Sequence, residues 1–404
     1  MSSNIAWLDT SAEEQRRIRE IVELFSQRES RDELGIGQIR DVFSDLLFPG
    51  TSVIQTRARY FLLVPWVFRA SARRGLSGAA QLAHANSAER RLVEMLRSAG
   101  VVDGLIGRRA GAALKILPSS IYWSGMRTYG ILTHDVGADR LNMITSRLPD
   151  GADELATRIV GDWHPSLPSP PDGFPKSLTG GLNLELNEAR WLMERMLSAA
   201  SGTLLAHLLV ASNAPDRDSA APWSDSVAAT APTEIRNLVR HAEFFSLAMN
   251  GAALLYNVLV GERYEAAGLT RVKDPVEWFR GAYDEWVSML HDRDADLRDW
   301  NRSEFAELIL ARNQRTSRAH EFVMAWTEAV LDRSSKNDPD NTRLRALVAG
   351  RERGIKKAQS RLTNDKLLGA WSGDSGSGRL TYRWSQVRRI VTDVHEGLDS
   401  NAGA

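Results

Sequence analysis

At 404 residues the chain is long enough for two or three domains with a sizeable core, and 43% hydrophobic with 25% charged residues is ordinary for a globular protein. The absence of cysteine excludes disulfides, thiolate metal ligands and cysteine nucleophiles, and fits a reducing compartment. The formal net charge is zero, which by itself favours neither a nucleic acid nor a membrane surface as partner.

The N-terminal MSSNIAWLDTSAEEQRR lacks an apolar signal core, and no run of about 18 apolar residues is read as a bilayer span, so a cytoplasmic protein with no membrane partner is expected. Ser11 to Ser30 reads as an amphipathic helix, with Ile18, Ile21, Val22 and Phe25 on one face and a Ser11-x-x-Glu14 capping pattern. Gly35 to Arg69 then holds two helical runs around Pro49-Gly50. Ile36, Ile39, Val42, Phe43, Leu46 and Leu47 keep helical spacing in the first run, and Thr51 or Ser52 is the expected cap of the second. The second run, Tyr60 to Phe68, is apolar nearly all round, which predicts a buried helix with a polar, cationic entry at Gln55, Arg57 and Arg59.

Ser87 to Ala99 is a further helix. A short helix from Gly104 to Leu117 and another beginning near Ser119 with a serine cap read either as a helix-turn-helix with Arg108, Arg109, Lys115 and Arg127 around it, or as a hairpin with Ile121, Tyr122, Trp123 and Met126 in a core. Pro165 to Pro175 carries five prolines in eleven residues, which excludes helix and marks a linker. The expected division is an N-terminal helical domain at 1–162, a Pro-rich linker at 163–177 and a C-terminal helical domain at 178–404. Helices follow at Asn187 to Ala200, Pro232 to Gly261, from Pro275 with Trp278, Phe279, Tyr283, Trp286 and Leu290 inward, and over Ser303 to Leu331. The apolar-free Arg312 to Arg318 inside that last stretch is a turn or a polar insert. A basic helix at Glu352 to Arg361, a Gly373 to Gly378 turn, one short strand at RLTYRW and a helix at Trp384 to Leu398 complete the chain. The fold class is all-α, multi-helix, with at most a short strand or hairpin near the C-terminus.

IRDVFSDLLFPGTSVIQTRARYFLLVPW resembles the signature of a large, functionally uncharacterised family of bacterial proteins. IAWLD near the N-terminus, LPSSIYWSGMRTYGIL and LTYRWSQVRRIVTDVHEGL are similar to it too, so the likeness runs over most of the chain. The resemblance supplies no activity and no catalytic residue. It implies a setting among mobile-element and phage-defence genes, hence other proteins of the same gene neighbourhood as partners.

Neutrality hides a segregation along the chain. Arg40 to Gly130 holds 13 Lys+Arg against 5 Asp+Glu, Arg351 to Arg389 holds 10 against 3, and residues 131–339 hold 21 against 31. Either the segments neutralise one another in the fold, or the basic ones share a face that meets phosphate. The second alternative makes Arg108, Arg109, Lys115, Arg127, Lys356, Lys357, Arg383, Arg388 and Arg389 candidates for binding DNA or RNA, with Trp371 and Trp384 as stacking platforms. Asp41 and Asp45 either hold a metal or pair with Arg40, Arg57 or Arg59. GDSGSG matches a serine-protease nucleophile segment over four residues without the scaffold, and reads as a turn. Asp292, Asp294 and Asp296 open like a calcium loop but lack its glycine and glutamate, and read as a solvated helix end. No P-loop, zinc or nucleophile-elbow motif occurs. The readings are therefore a nucleic-acid-binding accessory protein of a defence or mobile-element system, a helical scaffold that holds other proteins, and an enzyme built around Asp41, Asp45, Arg57 and Arg59, with no cofactor or metal expected.

Overall fold

The computed structural model describes residues 32–72, 78–108, 110–111, 114–133, 163–334 and 336–400. The expected helix at Ser11 to Ser30, the IAWLD segment and Arg109 lie outside the described residues. Fourteen α-helices occur among the described residues. They contain no β-strand, only an isolated antiparallel bridge between Leu132 and Trp163, so the chain is all-α.

Helix α1, Gly37–Leu47, starts where the Asp32 carboxylate accepts the Ile36 and Gly37 N–H groups at 2.7 and 2.9 Å, and buries Ile39, Phe43 and Leu47 at i, i+4, i+8 spacing. The turn after it needs Gly50, at φ 77°, because a Cβ there would meet the Tyr129 ring at 2.6 Å. Helix α2, Tyr60–Ala72, begins seven residues later than a Ser52 cap would place it. Thr51 Oγ1 donates to the Phe48 carbonyl instead, and the Ser52 N–H donates to Gln55 Oε1. Residues 55–59 leave the helical path because their groups find better partners across the fold: the Thr56 and Arg57 N–H groups both donate to the buried Tyr122 hydroxyl, at 2.8 and 3.0 Å.

Helix α3 is Gly78–Ser98 and α4 is Pro118–Thr128. The expected first member of the helix-turn-helix is not formed. Gly104, Gly107 and Gly111 take φ of 71°, 77° and 50°, which breaks the right-handed path, so the described residues do not form a helix-turn-helix here. Nor is Ser119 a cap. Pro118 occupies the first turn, and the Ser119 N–H donates to the buried Glu89 carboxylate of α3 at 2.7 Å. Tyr122 and Met126 are in the core as the hairpin reading requires, while Ile121 and Trp123 are half-buried.

Next come α5, Leu186–Ala199, and α6, Leu204–Val210, the latter capped by Thr203. Helix α7, Thr233–Ala266, corrects one exclusion: by length and composition it could cross a membrane, with a mean hydropathy of 1.5 in its most apolar window, but 94% of that window is buried inside the protein. Helices α8, Pro275–Asp292, α9, Asp294–Arg298, α10, Arg302–Arg312, and α11, Ser317–Val330, follow, and a single 3-10 turn at Gln314–Thr316 separates the last two, as one of the alternatives for that polar stretch required. Helix α12, Thr342–Lys356, starts under an Asn341 cap; α13 is Asp365–Gly369 and α14 is Trp384–Asp399. RLTYRW is a turn, not a strand, because Tyr382 and Arg383 sit at φ 55° and 68°.

The chain divides into two compact units, one made of residues up to Phe43 with Asn237–Tyr382, the other of Ser44–Arg236 with residues from Arg383 on. Pro165 to Pro175 falls inside the second. In the first unit α7 is the axis. Trp286 and Trp326 donate their indole N–H to the Leu247 and Ala248 carbonyls, both at 2.8 Å, and Gly251 lets the Trp286 ring lie where a Cβ would be 2.2 Å from it. Trp278 departs from its expected inward place and is 60% exposed. In the second unit α14 lies along α5 and α6, and Gly397 permits the approach, since a Cβ there would be 2.8 Å from that of Ala189.

Candidate functional site

The buried arginines Arg57 and Arg59 of the second unit are each paired with a carboxylate, with Arg59 Nε left without a hydrogen-bond partner among the described residues. Arg57 Nε donates to both Asp393 oxygens at 2.9 Å and its Nη2 to Asn183 Oδ1 at 2.8 Å; the Ala58 N–H adds a 2.8 Å bond to the same carboxylate. Arg59 pairs with Glu188 at 2.8 Å and donates to the Thr179 and Gly181 carbonyls. Burial pushes the Asp393 carboxyl above its usual range, against the pull of Arg57. Asp41 pairs with its neighbour Arg40 and Asp45 with Arg383, so Arg57 and Arg59 take carboxylates that the sequence did not single out, Asp393 and Glu188. This arrangement fixes the 55–59 segment.

The cations proposed for phosphate divide in the same way. Lys356 pairs with the buried Glu33 at 3.1 Å. Arg383 also donates to the Thr51 carbonyl, Arg388 to the Ser219 carbonyl at 2.7 Å, and Arg389 pairs with Asp103 and Asp393. Arg108, Lys115, Arg127 and Lys357 remain exposed. Trp371 and Trp384 are 0% and 1% exposed and donate to Ser375 and Ser219, so they are core residues and cannot stack on bases. Charge balances within each unit: 23 Lys+Arg face 24 Asp+Glu in the described residues of the first, and 17 face 15 in the second. The sequence-long segregation is largely folded away.

What remains open is a cleft in the first unit that sequence reasoning missed. Two adjoining lobes, of about 620 and 440 Å³, share Arg298, Leu331 and Asp332. The larger adds Val287, Asp294, Val330, Arg333, Lys336 and Asp338; the smaller adds Arg302, Glu328 and Arg343. Its walls are ends of helices: the end of α8, α9 and the start of α10, with the end of α11, residues 331–333 and residues 336–343. Arg298 grips Asp294 with two bonds, at 2.8 and 2.9 Å, and donates to the Leu331 carbonyl at 2.7 Å. Asp332 accepts from the Ser334 N–H and hydroxyl and from Arg343 at 3.1 Å. The Arg298 bonds hold the Asp294 carboxyl below its ordinary range, and the Ser334 bonds do the same for Asp332, so these two acids stay charged. Arg302 is half-buried and makes no ion pair among the described residues. Only Asp294 had been noticed in the sequence, as part of a solvated helix end, and its pairing with Arg298 and Arg333 agrees with that reading. The other signal was the polar run LDRSSKNDPDNTR between two helices, which carries both signs without periodicity.

No metal-ligating group of three or more His, Asp or Glu side chains occurs among the described residues. No curated protein and no solved structure matches the chain. Over residues 1–397 the sequence matches the family described as a family of unknown function, DUF6361. The chain thus belongs to the DUF6361 family, a family of unknown function.

Proposed function

We propose that this protein is a helical interaction protein that acts by holding a polypeptide partner in the cleft between α9–α10 and the α11–α12 connection. The observation that carries the reading is the lining of that cleft: fixed charges of both signs around an apolar floor of Val287, Val330 and Leu331. A polypeptide can match discrete charges and place apolar side chains between them, whereas a nucleic-acid backbone would run its phosphates past Asp294, Asp332 and Asp338. The setting suggested by the family resemblance, among defence or mobile-element genes, would supply the partner. The test is co-purification from the native host with the wild type and with Arg302→Glu/Asp332→Lys, both checked for folding by circular dichroism. The same polypeptide should be retained by the wild type after nuclease treatment and lost by the variant. Retention by both, or release by nuclease alone, overturns the reading.

A second reading, nucleic-acid binding, keeps one observation in its favour. Gly111 lies against Glu94 and Arg97 of α3, Arg90 donates to the Leu114 carbonyl, and Arg108 and Lys115 are exposed. Phosphate contacts release counterions, so affinity for single- or double-stranded DNA or RNA should fall with salt, and removing Arg108 and Lys115 should flatten that slope. An anisotropy titration that detects no binding at low salt discards this reading.

A further inference from the structure

Among the tryptophans of the described residues Trp278 alone is exposed, at 60%. It stands on α8, whose buried residues Phe279, Tyr283, Trp286 and Leu290 recur every three or four positions and so occupy one side of the helix. The side turned away carries Glu277, Trp278, Gly281, Asp284, Glu285 and Asp292, all exposed. The Trp278 ring meets Phe279 edge-on, with centroids 4.5 Å apart, and Gly281, one turn on, has no side chain to cover it; a Cβ there would meet nothing within 4 Å. Val287 and His291 of the same helix line the cleft instead, so this face is a separate surface. Its carboxylates, Glu277, Asp284, Glu285 and Asp292, make no ion pair among the described residues. The cations nearest in sequence are committed elsewhere. Arg280 pairs with Glu262 and Asp340, and Arg293 with Glu243 and Asp296. Before the helix, Arg271 and Lys273 stand against Asp274 and Glu265, the latter accepting the Val276 N–H. The negative charge of the face is therefore uncompensated, and it shares about 22 Å of helix with one open indole.

We infer that the outer face of α8 docks a basic segment of polypeptide, which lays an arginine or lysine side chain on the Trp278 ring and sets further cations against the carboxylates along the helix. Two independent features favour the same sign. The face of an indole attracts a cation more strongly than any other aromatic side chain does, and free carboxylates match guanidinium and ammonium donors. An anionic partner, nucleic acid included, would bring like charges onto this face, and a wholly apolar one would desolvate the carboxylates without pairing them. A polypeptide supplies both the cations and the apolar contact that the ring offers, and roughly seven residues of extended chain, at about 3.3 Å each, cover the length of the face. The surface adds to the cleft and does not depend on it.

Fluorescein-labelled peptides of repeating Arg-Leu-Gly and of repeating Glu-Leu-Gly, equal in length, are titrated against the full-length protein by anisotropy. The basic peptide should bind the wild type about tenfold tighter than the acidic one or better, and weaken as salt is raised. Trp278→Ala should lose about fivefold for the basic peptide, and Asp284→Lys/Glu285→Lys about tenfold or more. The cleft variant Arg302→Glu/Asp332→Lys should bind it as the wild type does. Asp284 and Glu285 are exposed and unpaired among the described residues, so the charge reversal is expected to fold and carries the test even where Trp278→Ala melts early. A wild type that does not prefer the basic peptide, or α8 variants that bind it unchanged, overturns the inference. Loss in the cleft variant as large as in the α8 variants overturns the assignment to α8. Displacement of the peptide by spermine at equal charge concentration overturns the polypeptide in favour of a small polycation. A wild type that sediments as a dimer while Trp278→Ala sediments as a monomer overturns it in favour of a second copy of the chain.

Discussion

Removing the Asp393 carboxylate tests whether the arginine loop is the anchor of its unit. Asp393→Ala deletes an acceptor that takes two 2.9 Å contacts from Arg57 Nε and one 2.8 Å bond from the Ala58 N–H. Arg57 is 5% exposed, and its remaining partners would be Asn183 Oδ1, a 3.4 Å contact to the Asp103 carbonyl and the exposed Asp103 carboxylate at 3.7 Å. Breaking a buried pair from one side leaves an uncompensated charge, which costs roughly 3–5 kcal/mol. For a unit of this size that corresponds to a fall in melting temperature on the order of 10 °C. The companion variant Arg57→Met/Asp393→Leu removes both charges at similar volume and should recover most of the loss, because desolvating the two ions offsets much of their attraction. Urea melts followed by tryptophan fluorescence give both numbers. A loss below about 1 kcal/mol for Asp393→Ala, or a double variant no better than the single one, would refute the argument that Arg57 is held buried by this carboxylate.

Trp66→Ala should destabilise by roughly 3–5 kcal/mol, since the ring is 1% exposed, while Trp66→Phe, which loses mainly the 2.7 Å bond to the Pro168 carbonyl, should cost about 1–2 kcal/mol; equal losses in a denaturant melt would mean the indole N–H, not the packing, carries the residue. His241 accepts the Trp300 indole N–H at 2.8 Å, and burial, partly opposed by Glu304, holds its pKa below the ordinary 6.5. A lowered folded-state pKa gives stability that is present above the unfolded value and lost as pH falls through the folded one. The advantage of the wild type over His241→Gln should therefore shrink as pH is lowered from about 6.5, and an advantage independent of pH between 7 and 5 would disprove the neutral buried histidine. The Tyr256 hydroxyl is buried beside a cavity of about 50 Å³, next to the Arg361 guanidinium but without a well-formed hydrogen bond to it. A high-resolution crystal structure should place ordered water on it, and Tyr256→Phe should lower stability by about 1 kcal/mol; a rise in stability would mark the site as dry.

The sequence by itself determined what depends on local patterning. Helical spacing in Gly37–Leu47, Thr233–Ala266 and Trp384–Asp399, with Pro275 opening a helix, was enough for an all-α fold and for most helix positions, because each apolar stripe must be buried wherever the rest of the chain lies. The apolar run at Tyr60 to Phe68 was legible as core for the same reason. Tertiary structure alone decided the polar residues. Arg57 and Asp393 are 336 positions apart, and no local rule says that one will neutralise the other. The same holds for Arg383 with Asp45, so cations that look available in the sequence prove to be committed. Ser119 could not be told from a helix cap until Glu89 came to its N–H, and Trp278 could not be told from Trp286 on one helical stripe until neighbours covered only the second. The cleft was least legible of all. Its charges come from residues 294–302 and 328–343, two stretches that only folding brings face to face, and a site formed by helix ends has no period for a sequence to display.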